Sequence, residues 1–318
     1  MIERSDELVT VFGGGGFIGR YVSEFLLRSG VRVRIAQRNP EQAYIIQPLA
    51  QVGQFGLEQV DIADAASVRR VVHGSDAVVN LVGIFGAKMR AVHVDGARNV
   101  AEAAREFGVR SLVQISAIGA SRQSPSNYGQ TKAEGEEAVR IAYPEATIIR
   151  PSLVFGPEDD LTNRFAAMAR LPVLPVIAAQ RRFQPVYVRD LGKAIAMAAL
   201  EPSRFAGRTY EIGGPQPMSM IELHKTVLEI TGQDPDILRV PDLLASLLAS
   251  FGWLPGAPLT RDQWQMLQRD NLPSGELPGL NAFGIKPTPL GAVGMEWLGR
   301  FNRRGKFAGR RINLTATN

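Results

Sequence analysis

The run Leu8-Val9-Thr10-Val11-Phe12-Gly13-Gly14-Gly15-Gly16-Phe17-Ile18-Gly19 constrains this chain more than any other stretch. The apolar residues up to Phe12 predict a buried strand. The spacing of Phe17, Ile18, Tyr21, Val22, Phe25 and Leu26 predicts a helix that stops at Ser29-Gly30. A chain that passes from strand to helix within so few residues must turn sharply, and glycine lets the backbone come close to a phosphate. The run fits Gly-x-x-Gly-x-x-Gly at 13, 16 and 19, and Gly-x-Gly-x-x-Gly at 14, 16 and 19. Glycines also fill ordinary turns, but here a strand precedes them and a helix follows. The N-terminus of that helix directs N–H groups and positive partial charge at an anion. The run therefore predicts a dinucleotide cradle formed by Gly13, Gly16, Phe17, Ile18 and Gly19.

Strand-like and helix-like segments alternate as far as about residue 151. The later strands are predicted at Val31–Gln37, Leu57–Asp61, Asp76–Leu81, Ser111–Ser116 and Ala146–Arg150, and the clearer helices at Ser67–Val72, Val92–Phe107 and Tyr128–Tyr143. Such alternation implies a doubly wound parallel sheet of the Rossmann kind, with ligands beyond the C-terminal strand ends. After Pro151 the chain becomes proline-punctuated, with breaks at Leu171-Pro172-Val173-Leu174-Pro175 and Gly213-Gly214-Pro215. Gln184–Val188 and Thr209–Ile212 look like strands flanking a helix at Asp190–Leu200, so this half is expected to return at least one strand to the main sheet. The expected division is a dinucleotide-binding domain at 1–151, a smaller C-terminal lobe at 152–299 and a basic tail at 300–318. Leu243, Leu244, Leu247, Leu248 and Phe251 form one apolar helical face, followed by Trp253 and Leu254, and such a stripe predicts burial in a core. Thr260-x-x-Gln263 predicts a capping box.

The absence of cysteine removes disulfides and thiolate metal sites, and the histidines at 73, 93 and 224 are scattered, so no metal site is expected. No signal-like segment precedes Leu8, and no apolar run reaches the roughly 20 residues of a spanning helix, which predicts a cytoplasmic location. The net charge of +5 is local. Arg300, Arg303, Arg304, Lys306, Arg310 and Arg311 supply six positive charges with no acid among them, so the rest of the chain carries −1. A basic tail of this kind either meets lipid headgroups or acidic partners, or is simply solvated. It interleaves little aromatic surface with its charges, so no nucleic acid is expected.

The second strand ends in Gln37-Arg38-Asn39, where proteins that prefer NAD place an acid for the ribose hydroxyls. An arginine grips a 2′-phosphate with paired hydrogen bonds, so Arg38 points to NADPH over NADH. Asp61 and Ile62 follow the third strand, where they are placed to hold the adenine amino group and cover its ring. Leu81, Val82 and Gly83 follow the fourth and line the cofactor from the other side. Tyr128 and Lys132 lie four apart on one helix face, and a nearby ammonium favours the phenolate, drawing a tyrosine toward acid–base work. Ser116 ends the fifth strand, where its hydroxyl is placed to polarise a carbonyl.

With these motifs in this order, residues 8 to about 215 resemble the short-chain dehydrogenase/reductase superfamily in its atypical or extended branch. The resemblance implies a catalytic trio of Tyr128, Lys132 and Ser116, and a nicotinamide end lined by the stretch from Arg150 to Pro157, with Pro151 and Val154 at the cofactor. A narrower likeness rests on Val78 to Gly83, Ser126 to Glu136, Pro151 to Asp160, Gln184 to Asp190 and the segment bearing Trp264. These look like the nucleotide-binding accessory subunits of respiratory complex I and their bacterial relatives. That likeness implies an NADPH-binding subunit without turnover, bound to other subunits of the peripheral arm on the cytoplasmic face of the inner membrane. Residues 243–254 and the basic tail at 300–311 fit a membrane-surface position. Two alternatives remain at this stage. One is a free-standing NADP-dependent reductase, epimerase or dehydratase acting on a small carbonyl or sugar-nucleotide compound; the other is a redox-sensing regulator.

Overall fold

The computed structural model describes residues 4–250 and 259–302. Seven parallel strands form the main sheet: β1 (Leu8–Phe12), β2 (Arg32–Gln37), β3 (Phe55–Gln59), β4 (Ala77–Asn80), β5 (Ser111–Ile115), β6 (Thr147–Pro151) and β7 (Thr209–Ile212). Their order is β7-β6-β5-β4-β1-β2-β3. The chain builds outward from β1 through β2 and β3, then crosses back to β4 and builds the other way. The crevice between β1 and β4 is therefore the topological switch point, where open α/β sheets hold their ligands.

Alternation along β1 explains the two layers. Val9 and Val11 face one side, packed with Val22 and Leu26 of α1 (Phe17–Arg28). Phe12 faces the other, with Val68 of α2 (Ala65–Val72) and Val100 of α3 (Ala97–Glu106). Each fully buried Val or Leu contributes about 2 kcal/mol relative to exposure. Helix α4 (Asn127–Ala142) lies beside α3. Helix α5 (Asp160–Met168) belongs to the C-terminal lobe, while α6 (Val188–Leu200) returns to pack against α1.

Several expectations shift. The segment expected to be one helix over Val92–Phe107 begins as a π turn, Ala91–Gly96, before α3. That widened turn carries His93 inward and presses its carbonyl on α4, where a Cβ on Gly135 would stand 2.0 Å from the His93 oxygen. The expectation that at least one strand returns to the sheet holds: Thr209–Ile212 does so beside β6. Val186–Tyr187 instead pairs with Val154–Phe155. The expected break around Pro172 and Pro175 contains a strand, Val173–Val176, paired with Asp236–Arg239. In a two-stranded ribbon every strand is an edge, and an edge tolerates proline.

Among the described residues the leucines of the stripe are not core. In the helix Asp242–Ser250 the buried residues are Ala245 and Ala249, packed with Leu259 and Trp264, whereas Leu243, Leu244, Leu247 and Leu248 are 84%, 50%, 56% and 41% exposed. Small residues let this helix lie close to its support and turn its large ones outward. Phe251, Trp253 and Leu254 lie outside the described residues, as do the tail residues from Arg303 onward, Phe307 included. Arg300 is described, and its guanidinium donates to Asn163 Oδ1 at 2.8 Å. No helix among the described residues is long and apolar enough to cross a membrane.

Candidate functional site

The glycine loop opens into the switch-point crevice. Gly13 takes φ +77°, a conformation that side chains disfavour, and its carbonyl accepts the Gly16 N–H at 3.0 Å. A Cβ on Gly19 would stand 2.2 Å from that same carbonyl oxygen, so the first turn of α1 reaches the loop only because residue 19 is glycine. Gly16 is exposed at the mouth of the helix, whose first N–H groups have no side-chain cap. Such a helix end fits a pyrophosphate. Val82 lies under Gly13, 3.5 Å from where its Cβ would be, with Leu81 beside it. Phe17 lies against Gly156, just beyond Val154, so the loop after β6 closes on the start of α1. Pro151 ends β6 and its carbonyl accepts the Ile118 N–H at 3.1 Å.

On the far side of β2, Arg38 is exposed, and among the described residues its guanidinium makes no hydrogen bond or ion pair. Asp61 lies in the turn after β3, its carboxylate accepting the Ala63 N–H at 3.0 Å. Ile62 is buried and packs on Gly96, with its carbonyl held by Asn99.

Tyr128 and Lys132 share one face of α4, as their spacing predicts. The Lys132 ammonium is buried, donates to the Ile115 carbonyl at 3.1 Å and lies 5.8 Å from the centre of the Tyr128 ring. Burial pulls Lys132 down to about 8 and pushes the Tyr128 phenol up to about 12. The phenol is thus raised by desolvation, where the sequence spacing predicts a lysine-induced lowering. The phenolic hydroxyl has no hydrogen-bond partner among the described residues. Phe85 stacks on the ring at 4.7 Å, and His93 meets its edge at 5.3 Å.

His93 is a residue that the sequence pattern passes over. Its Nε2 accepts the Ile84 N–H at 3.0 Å, which puts the ring proton on Nδ1, where it faces Thr131 Oγ1 at 2.9 Å. Burial and the Lys132 charge lower it to about 3, so it stays neutral. Through Ile84 it holds the loop that carries Gly83 and Phe85. Gly83 in turn sits against the lysine, since a Cβ there would be 3.3 Å from Nζ. Asp262 is the other residue passed over. The capping box at Thr260 and Gln263 forms as its spacing predicts. Inside that box, the Asp262 carboxylate accepts the N–H groups of Asn127 at 2.6 Å and Tyr128 at 3.2 Å, so the C-terminal layer caps the helix of the tyrosine. An Asp in a box is expected to serve its own helix, and no local signal directs it to another.

Ser116 does not face an open cleft. Its hydroxyl is buried beside the Glu136 carboxylate and in no hydrogen bond of good geometry. Burial would raise the Glu136 carboxyl, but the Arg150 and Arg140 charges hold it below the usual range. Arg150 grips both Glu136 oxygens, at 2.8 and 2.7 Å, and spans to Glu211 of β7 at 3.5 Å. The structure therefore gathers the glycine loop, Leu81 to Gly83, Tyr128 and Lys132 around one crevice, with Arg38 at its β2 end, and leaves Ser116 behind the lysine.

A family model described as the NAD dependent epimerase/dehydratase family matches residues 9–213. The chain belongs to that family. Family likeness extends further among individual proteins. The chain is 33% identical to mouse mitochondrial NADH dehydrogenase [ubiquinone] 1 alpha subcomplex subunit 9 over 305 residues, covering 93% of this chain and 81% of the mouse protein. A ceramide reductase of Caulobacter vibrioides is 29% identical over 250 residues, 74% of each chain. Among solved structures, an NADPH-dependent quinone oxidoreductase of Escherichia coli in complex with NADPH superposes with a TM-score of 0.70, at 20% identity over 89% of this chain and 97% of that one. A nucleoside-diphosphate-sugar epimerase of Staphylococcus aureus superposes with a TM-score of 0.73 at 16% identity, covering 89% and 98%.

Proposed function

We propose that this protein is an NADPH-binding accessory subunit of a complex-I-type NADH:quinone oxidoreductase, in which the nucleotide is a structural ligand and is not turned over. The observation that carries this reading is the reach of the likeness to subunit 9. It covers 93% of the chain, well past the end of the matched family region at residue 213. The packing of the tyrosine centre supports it: Phe85 stacks on the Tyr128 ring and the Ser116 hydroxyl is buried. In this reading residues 1–151 hold the dinucleotide. Gly13, Gly16, Phe17, Ile18 and Gly19 take the pyrophosphate, Arg38 the 2′-phosphate, Asp61 and Ile62 the adenine. Leu81, Val82, Gly83, Pro151 and Val154 line the nicotinamide side, where Tyr128 and Lys132 hold the ribose. Residues 152–299 face the partner subunits. The exposed leucines of Asp242–Ser250, with the basic tail, meet the membrane surface on its cytoplasmic side.

A second reading has one specific observation behind it: tyrosine, lysine and serine are all present, as an NADP-dependent reductase, epimerase or dehydratase requires. The nicotinamide cofactor would exchange a hydride with the substrate in that chemistry, and Tyr128 would hold the proton at its hydroxyl. One experiment separates the two. The protein, tagged at its N-terminus, is isolated from membranes solubilised in mild detergent. Co-purification with NADH:quinone oxidoreductase activity and unreacted NADPH is expected. Recovery as a free protein, with carbonyl reduction abolished in Tyr128→Phe, would sink the accessory role.

A further inference from the structure

We propose that Glu158 is a positioning residue that clasps the loop after β6 to the cradle helix and so slows the release of a bound nucleotide. The inference rests on the nucleotide-binding reading above, in which the pyrophosphate lies at the start of α1 and the nicotinamide along Pro151 and Val154. Glu158 joins these two elements. Its Oε2 accepts the Tyr21 hydroxyl at 2.7 Å, and its Oε1 lies 3.1 Å from Arg20 Nη1. Arg20 and Tyr21 follow the last cradle glycine directly. A nucleotide that spans both elements leaves more slowly when they are tied together.

Both sides of the clasp are fixed by other contacts. On the helix side Tyr21 is buried, and α6 packs closely on it at Gly192, where a Cβ would stand 3.0 Å from Tyr21 Cβ. The Arg189 guanidinium lies 5.5 Å from the centre of the Tyr21 ring and is itself held by both Glu24 oxygens, at 3.1 and 2.8 Å. Burial and the Glu158 carboxylate raise the Tyr21 phenol, so it stays protonated and donates. On the loop side, Asn163 Nδ2 donates to the carbonyls of Pro157 at 3.1 Å and Asp159 at 2.7 Å, which flank Glu158. The buried Asp159 carboxylate accepts the Gly156 N–H at 3.0 Å and closes the turn. An ion pair open to water holds little by itself. Here a charge-assisted bond from a buried phenol joins it, between two backbones already in place, so little freedom is lost on closing.

The test is stopped-flow nucleotide fluorescence on the full-length, nucleotide-stripped protein, which reads association and dissociation of NADPH and NADH separately. Glu158→Ala is expected to speed dissociation of both nucleotides by the same factor, roughly tenfold, as loss of one charge-assisted bond implies, with association unchanged. Tyr21→Phe, the milder change, is expected to speed it about threefold, and to add nothing in the Glu158→Ala background. Glu158→Gln keeps an acceptor for Tyr21 and is expected to recover part of the retention. Wild-type dissociation rates in folded Tyr21→Phe or Glu158→Ala, or association slowed as much as dissociation is speeded, would overturn the inference and leave nucleotide binding standing. A wild type that holds neither nucleotide would remove the binding reading and the inference with it.

Discussion

Helix α1 and the helix Asp242–Ser250 both carry leucines on an amphipathic pattern, and they place them in opposite directions. In α1, Leu26 and Leu27 are buried against β1 and β2 with Val22, and the helix is part of the core. In Asp242–Ser250 the alanines face the protein and all four leucines face out. The pattern of apolar residues is the same kind of signal in both; the difference lies in what each helix finds beside it. The first helix is fed by a strand into a sheet that needs covering. The second arrives after the sheet's faces are already taken and has only Leu259, Trp264 and their neighbours to rest on. One region is stabilised by its own fold, and the other presents an apolar face of the kind that marks an interaction surface.

The most disruptive way to probe this contrast is at the cradle. Gly19→Val drives a side chain into the Gly13 carbonyl, so it should cost about 3 kcal/mol of stability and remove nucleotide binding, read by thermal melting and NADPH titration. Lys132 tests the same region through pH. Its folded value, about 8, lies below its ordinary 10.5, so the folded state binds fewer protons between these values. Stability should therefore rise with pH across that window, by up to roughly 3 kcal/mol, and Lys132→Met should flatten the rise in denaturant titrations at pH 7.5 and 10. Arg38→Ala should weaken NADPH about ten- to hundredfold, the loss of charge-assisted bonds worth about 1.5–3 kcal/mol, with NADH nearly unaffected.

Asp262→Ala sharpens the contrast from the other side. Removing a cap shared by two N–H groups should cost about 1 kcal/mol in urea unfolding. A much smaller cost would mean that the C-terminal layer does not support α4. The smallest effect on stability is expected from Leu243→Ser with Leu247→Ser, within about 0.5 kcal/mol because these side chains are already in water. The same variant should lose retention on membranes bearing the oxidoreductase. A drop of more than about 2 kcal/mol would break the contrast by showing that these leucines belong to the fold.

Much of the architecture was legible before any coordinates. The strand–glycine–helix opening, the β/α alternation and the Tyr128–Lys132 spacing are local patterns, and a local pattern survives tertiary assembly when it fits what surrounds it. The boundary shifts have tertiary causes. Val92–Phe107 starts as a π turn in which His93 is bonded to Ile84, nine residues before it, and to Thr131, 38 residues on. Val186–Tyr187 left the main sheet because Thr209–Ile212 took the place beside β6. At the site, Arg38 stood out because charge type at a strand end is readable residue by residue. Phe85, His93, Asp262 and the direction of the Ser116 hydroxyl were not readable that way, since each matters through a contact that only folding creates.

Sequence alone determined the sheet, the cradle and the order in which candidate groups reach the crevice, because backbone turns and side-chain periodicity are short-range demands. Only the tertiary structure decided that desolvation raises the Tyr128 phenol, that Ser116 sits beside Glu136, and that the leucines at 243–248 face outward. Those outcomes depend on burial and on neighbours brought from distant parts of the chain, and burial is a property of the assembled molecule.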